Sequence, residues 1–438
     1  MQGGFLFAVL AAFIEALRNA RWPAALARLD ARAARGYALS IAYLLQARLW
    51  TLFHGEPRWR ALQAGWARDE GTASVREALA GTLAASDRFE IIGGGAAGFA
   101  KRDELYARAR ERVDIATYYL QSDDTGLATA KSLEACVARG VRVRLLVDRY
   151  MTFKKTQEVP GMAELLARVG AAGVELKAWH DPRRPYDSNH RKMILVDGRV
   201  VLMGGRNFAD HYRGEEWRDA DLVLEGDSVA PLAALFEEVW QGCASAPESA
   251  HSRSPWLDRV PADIAADPMM RFLLSAVGAA TRTVDLELAY FVAHDSLCGA
   301  LERAARRGVR VRLLTNSAES NDLPYAVWTT YEGARRLLEA GCAVHARRGA
   351  GRTLHCKYAV VDGEWASFGS HNLDYYSARY CCETNLVVRD ARLGAMLGEL
   401  FESGLAEAPA LSLEGEVRPW LARSGMLRTF DRVFRDFQ

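Results

Sequence analysis

Apolar and polar positions along the chain repeat as a unit. Val113-Asp114-Ile115-Ala116-Thr117-Tyr118-Tyr119 and Val284-Asp285-Leu286-Glu287-Leu288-Ala289-Tyr290 both read as strands. Each precedes helical spacing, at Leu127, Leu133, Cys136 and Val137 and at Leu297, Leu301, Ala304 and Ala305. Each helix then leads into the same heptapeptide, Gly-Val-Arg-Val-Arg-Leu-Leu, at Gly140 to Leu146 and at Gly308 to Leu314. Strand, helix, strand is therefore written twice, the mark of an internal duplication. A further helix ending at glycine follows each heptapeptide, through Glu164-Leu165-Leu166 to Gly170 or Gly173 and through Arg336-Leu337-Leu338 to Gly341, with a short strand after it. The pattern predicts two α/β halves, 86–250 and 268–405, joined by a linker at 251–267 that holds Pro255 and Pro261. A helical region at 1–85 and a basic, aromatic tail at 406–438 flank them.

Two apolar runs lie in the first region. Gly4 to Leu17 has no Lys or Arg before it and is closed by Glu15 and Arg18; Tyr37 to Phe53 is broken by Gln46 and Arg48. A bilayer span needs about 20 apolar residues, so neither is expected to cross a membrane. Between them Arg18, Arg21, Arg28, Arg32 and Arg35 face only Asp30 and stand beside Trp22, Leu26 and Leu29. That stretch suits an interfacial helix on an anionic leaflet, and equally a helical subdomain with a solvated basic face.

Composition narrows the classes. With 438 residues, 50% hydrophobic and 25% charged, the chain is neither disordered nor fibrous. A net charge of +1 provides no global field for a polyanion, so nucleic acid is not expected as a partner without a local basic groove. The seven cysteines are an odd set without paired spacing, which fits a reducing compartment. Cys381-Cys382 has no CxxC repeat or zinc-spaced histidine beside it, so no metal and no cofactor are expected.

The candidate chemistry is duplicated too. His190-Arg191-Lys192 leads to Asp197-Gly198 and then Gly204-Gly205-Arg206-Asn207; His355-Cys356-Lys357 leads to Asp362-Gly363 and then Gly369-Ser370-His371-Asn372. Both read HxKxxxxD, with Asn seventeen residues after His. Residues two apart on a strand share a face, so each imidazole stands beside an ammonium, a pairing suited to a phosphoryl group. Cys356 then faces the opposite side, into the core. Asp197 and Asp362 begin Asp-Gly turns and are expected to stabilise hairpins, not to carry chemistry. Asn207 and Asn372 return on the next strand and are expected to donate to a phosphate oxygen. Only seven lysines occur, and two of them stand two residues after histidine in matching copies.

These residues resemble the phospholipase D superfamily, whose signature is a duplicated HxKxxxxD followed by G(G/S)xN. The resemblance covers roughly 86–405. It implies an α/β fold of two tandem halves, each a mixed sheet flanked by helices, related by a pseudo-twofold with both motifs at one site between them. It further implies metal-independent transfer through a phosphohistidine, with His190 the nucleophile and His355 the acid and then the base. An acidic residue orienting a histidine is implied at Glu383, with Asp219 its counterpart. Gly205 and Ser370 support the two sites. Trp217-Arg218-Asp219, Phe236 to Trp240 and Gly369 to Asp374 with Glu383-Thr384-Asn385 are similar to bacterial cardiolipin synthases of the short type without transmembrane helices.

The function implied is that of a phosphatidyltransferase, expected to convert two phosphatidylglycerol molecules to cardiolipin and glycerol or to use a related acceptor. The same residues serve a hydrolytic phospholipase D or a nuclease-type phosphodiesterase. The expected partners are a phospholipid substrate and an anionic membrane surface, with the protein peripheral on the cytoplasmic side of the cell membrane. Tyr118, Tyr119, Tyr290 and Phe291 end the first strand of each half and are candidates for the lipid entrance. Asn316, Ser317 and Asn321 are weaker candidates for headgroup contact.

Overall fold

The computed structural model describes residues 42–43, 46–47, 59–242, 254–259, 261, 267–292, 294–323, 326–425 and 428. The whole basic N-terminal stretch from Arg18 to Arg35 lies outside them, as do residues 426–427 and 429–438 of the tail. The strands of the first half are β1 (Arg88–Ile92), β2 (Arg112–Thr117), β3 (Arg142–Asp148), β4 (Glu175–Trp179), β5 (Ser188–Asn189), β6 (Met193–Val196), β7 (Val200–Gly204) and β8 (Asp221–Glu225). The later strands are β9 (Trp256–Arg259), β10 (Thr283–Leu288), β11 (Arg310–Asn316), β12 (Ala343–Arg347), β13 (Lys357–Val361), β14 (Trp365–Gly369) and β15 (Cys381–Arg389).

Two mixed sheets result. The first runs β1-β8-β7-β6-β2-β3-β4 and the second β12-β11-β10-β13-β14-β15. In each, the strand–helix–strand units pair in parallel, and the HxK strand pairs antiparallel to the first of them: β6 on β2, β13 on β10. The duplicated sequence therefore gives a duplicated sheet. β9 lies antiparallel on β15, as β1 does on β8, so the stretch read as a linker contains the edge strand of the second sheet. β5 crosses over: it belongs to the first half but pairs in parallel with the start of β15.

Alternation along the strands builds three cores. Ile194 and Val196 on β6 pack with Val113, Ile115 and Val143 against helices of the first half. Ala359 and Val361 on β13 pack with Val284 and Leu286 in the second. The other faces meet: Met193 and Leu195 join Tyr358, Val360 and Phe368 in one shared cluster between the halves. A strand buried on both faces reads as a continuous apolar run, as Met193 to Val196 and Tyr358 to Val361 do. Cys356 lies in the shared cluster, on the face opposite Lys357. The described part of the tail folds back on the second half, with the Trp420 ring 4.3 Å from Tyr331 and Arg418 paired to Glu339. Among the described residues no helix is long and apolar enough to cross a membrane.

Candidate active site

Local chemistry fixes the two motif hairpins. Asp197 and Asp362 have φ of 52° and 54°, and the glycine after each is also left-handed, so both Asp-Gly pairs form the tight turn that suits antiparallel strands. The Asp197 carboxylate accepts from the backbone N–H groups of Arg110, Glu111 and Arg112, and Asp362 accepts from those of Thr281, Arg282 and Thr283. Each aspartate thus ties its hairpin to the start of the neighbouring parallel strand, far from the histidines. These bonds hold both carboxyls below their usual range despite the opposing effect of burial.

The histidines are held from across the molecule. His190 Nδ1 lies 2.9 Å from Glu383 Oε1, and His355 Nδ1 lies 2.8 Å from Asp219 Oδ2. Each half therefore supplies the carboxylate that orients the other half's imidazole. A carboxylate acceptor places the proton on Nδ1, and among the described residues no partner engages Nε2 of either ring. The backbone carries the same exchange: His190 N donates to Cys382 O, and His355 N donates to Arg218 O.

Supporting residues explain the pairing. Gly205 faces Asp219 so closely that a Cβ would stand 2.5 Å from Oδ2. Its counterpart Ser370 instead donates to Glu383 Oε2 at 2.6 Å. Gly204 lies opposite Asp221 and Gly369 opposite Asn385, so Asp219 and Glu383 occupy the same register. Lys192 Nζ donates to His190 O at 2.8 Å, and Lys357 Nζ donates to His355 O, so each ammonium folds back onto its own histidine. Asn207 donates to the Tyr212 hydroxyl at 2.7 Å, an internal use the motif does not announce. Asn372 stands beside Leu373, which is held at a φ of 59°.

Electrostatics tie the two motifs into one site. Burial pushes His190 down to about 4, and the charges of Lys192 and Lys357 push the same way. His355 is likewise driven well below its ordinary value by burial and by Lys357, Lys192 and His190. Burial also lowers Lys192, to about 7, and lowers Lys357. Glu383 falls to about 2 because His190, His371 and Lys192 outweigh its own burial. Burial raises Asp219, opposed by Arg206 and Lys357. The result is two neutral imidazoles beside two lysines and two carboxylates, in a buried setting where bulk solvent screens them little.

Aromatic rings wall the site. Tyr118 is edge-on to His190 at 4.9 Å, while Trp217, Tyr212 and Tyr290 surround His355 at 5.2, 5.6 and 6.3 Å. Tyr118 and Tyr290 were readable as strand-end residues; Tyr212 and Trp217 were not. Phe291 is core. Asn316 is committed to structure, donating to Ala289 O and Leu354 O while accepting from Leu354 N, which fixes the approach to His355 and leaves no amide for a headgroup. Ser317 and Asn321 are likewise buried in that turn.

Two matched sheets meeting over duplicated HxK segments define an enzyme of the phospholipase D superfamily. The family model described as "Cardiolipin synthase, PLD-like domain" matches residues 104–240 and 273–404. Among curated relatives, cardiolipin synthase A of Pseudomonas fluorescens is 28% identical over 389 residues, covering 82% of this chain and 78% of its own. Cardiolipin synthase 1 of Staphylococcus epidermidis is 25% identical over 335 residues, covering 71% and 66%. Among solved structures, phosphatidylserine synthase of Haemophilus influenzae superposes with a TM-score of 0.65 at 14% identity, over 84% of this chain and 100% of that one, a likeness of fold. The chain belongs to the cardiolipin synthase family of phospholipase D-like proteins, and its class of activity is phosphatidyl transfer.

Proposed function

We propose that the protein is a cardiolipin synthase working through a phosphohistidine: it transfers the phosphatidyl group of one phosphatidylglycerol to a hydroxyl of another and releases glycerol. The observation that carries this reading is the crossed pairing of Glu383 with His190 and Asp219 with His355, which points two basic Nε2 atoms away from their orienting carboxylates. With Lys192 and Lys357 charged and Glu383 and Asp219 ionised, the four charges sum to zero. A phosphodiester anion then draws one proton onto the histidine pair, and that proton supplies the acid.

The steps balance. His190 Nε2 attacks phosphorus while the phosphorus–oxygen bond to glycerol breaks, and protonated His355 gives its proton to the leaving oxygen. Neutral His355 next takes the proton of the incoming lipid hydroxyl as that oxygen attacks phosphorus and the nitrogen–phosphorus bond breaks. Lys192, Lys357 and Asn372 stabilise charge on the non-bridging oxygens, and Asn207 does so once it turns from Tyr212. Glu383 and Asp219 hold each ring and its tautomer, with Ser370 and Gly205 fitted to them.

Access from a membrane is peripheral in this reading, on the cytoplasmic side. Leu127 and Phe153 are the large hydrophobic residues exposed among the described residues, and each lies on the helix after a strand, β2 or β3, whose end faces the His190 side of the site.

The test is purified protein with phosphatidylglycerol vesicles, with chelator and no added metal, followed by mass spectrometry of the lipids. Cardiolipin and free glycerol are expected, lost in His190→Ala, with the mass of a phosphatidyl group on the His190 peptide after rapid quenching. Phosphatidic acid without cardiolipin would make the protein a hydrolase, and a modified peptide carrying only His355 would reverse the two roles.

A further inference from the structure

The cations of the two motifs are committed to the phosphate that reacts. An acceptor phosphatidylglycerol brings a second phosphate, three carbons from its attacking hydroxyl, and that charge also needs a partner once it leaves water. Beyond the motif lysines the chain has five others, and two of these are adjacent, Lys154 and Lys155, on the helix Arg149–Glu158. The cap of that helix, Asp148, also accepts from Asn189 N, which anchors the helix to the residue before His190.

Lys155 is linked to the His355 side of the site through two tyrosines. Its Nζ stands 4.7 Å from the centre of the Tyr119 ring. The Tyr119 hydroxyl bonds that of Tyr212 at 3.3 Å, and Tyr212 is one of the rings against His355. Exposed His211 completes the wall, with Nε2 3.4 Å from the Tyr119 hydroxyl and its ring 4.7 Å from Trp217, which also packs on His355. One layer of aromatic rings thus separates this cluster from the proposed acid and base.

Two ammonium groups meet one carboxylate on this helix. Lys154 and Lys155 share a single carboxylate, Glu158, at 3.5 and 3.6 Å. The nearby carboxylates are turned elsewhere: Asp210 accepts from Thr125 N at 2.7 Å, and Asp123 accepts from Gly126 N and Asp210 N. Tyr290, which matches Tyr119 in the second half, donates to Asp322 at 2.9 Å. The pseudo-twofold is broken here, with a cation beside one tyrosine and an acid beside the other.

We propose that Lys155, with His211 beside it, forms a second anion subsite that takes the phosphate of the acceptor lipid and so favours an anionic lipid over water or a neutral alcohol. This rests on the transfer reading above. Phosphatidylglycerol vesicles containing ethanol test it, because cardiolipin and phosphatidylethanol arise from the same donor and their ratio reports acceptor choice alone. Lys155→Gln is expected to lower that ratio about tenfold, the worth of one charge-assisted contact, while Lys155→Arg retains most of it. An unchanged ratio in Lys155→Gln overturns the subsite, and so does a ratio that falls equally in Lys155→Arg. Wild-type protein that forms no cardiolipin overturns the transfer reading, and this inference with it.

Discussion

Gly205 shows how tightly a single position is set. Asp219 bonds His355 because nothing at 205 intervenes, and Ser370 is tolerated at the matching position because Glu383 has one more carbon with which to reach His190. Gly205→Ala therefore displaces the Asp219 carboxylate; transfer is expected to fall at least about tenfold, the cost of one positioned charge-assisted bond, with the far-ultraviolet spectrum unchanged. A variant of full activity would show that Asp219 does not orient His355. The neutral imidazole of His190 makes a second prediction. Its folded value of about 4 lies below the ordinary 6.5, so the unfolded chain binds the extra proton first as pH falls. Its contribution is whole above 6.5 and is lost progressively down to about 4. The melting temperature of His190→Gln should fall less steeply than that of wild type across that window, and parallel curves would show that His190 is not buried as the neutral base.

At the scale of elements, what was legible was what is local. The HxK spacing, the Asp-Gly turns and the repeated strand–helix–strand are all set within short stretches of chain, and each is found where the pattern put it. The crossing was not legible. Nothing in the neighbourhood of Glu383 says that it serves His190 and not His355, because the pairing is made by β5 lying on β15 and by the Arg218–His355 backbone bond. β9 was hidden for another reason: a short segment among prolines and serines carries no alternation, and only the exposed edge of β15 makes it a strand. The hairpin aspartates are an element-scale prediction. Asp362→Ala strips the acceptor from three backbone N–H groups and puts alanine at a positive φ, for a loss of about 2–4 kcal/mol. Asp362→Asn keeps an acceptor and tolerates that φ, so it should lose far less. Thermal melting measures both, and turnover per folded molecule should hold in each, since Asp362 touches neither histidine.

For the whole molecule, one site requires two halves that cannot drift, and buried ion pairs span the join. Arg191, the middle residue of the first motif, pairs with Asp258 on β9 at 2.6 and 2.7 Å. Arg218 forks onto Glu287 of β10 at 2.8 and 3.1 Å and donates to Leu400 O at 2.7 Å. Tyr358 on the HxK strand donates to the same carboxylate. Arg218 also precedes Asp219, so its side chain fixes to the second half the segment that orients that half's histidine. Arg218→Met leaves Glu287 buried with only a tyrosine hydroxyl, which costs about 3–5 kcal/mol. The double variant Arg218→Met, Glu287→Gln removes the stranded charge and should recover part of that stability in denaturant melts. It should not recover transfer, because the segment carrying Asp219 still lacks its anchor. Stability and activity would then separate, which a general loss of folding cannot produce; a double variant that regains both would mean the backbone bond to His355 alone sets the geometry.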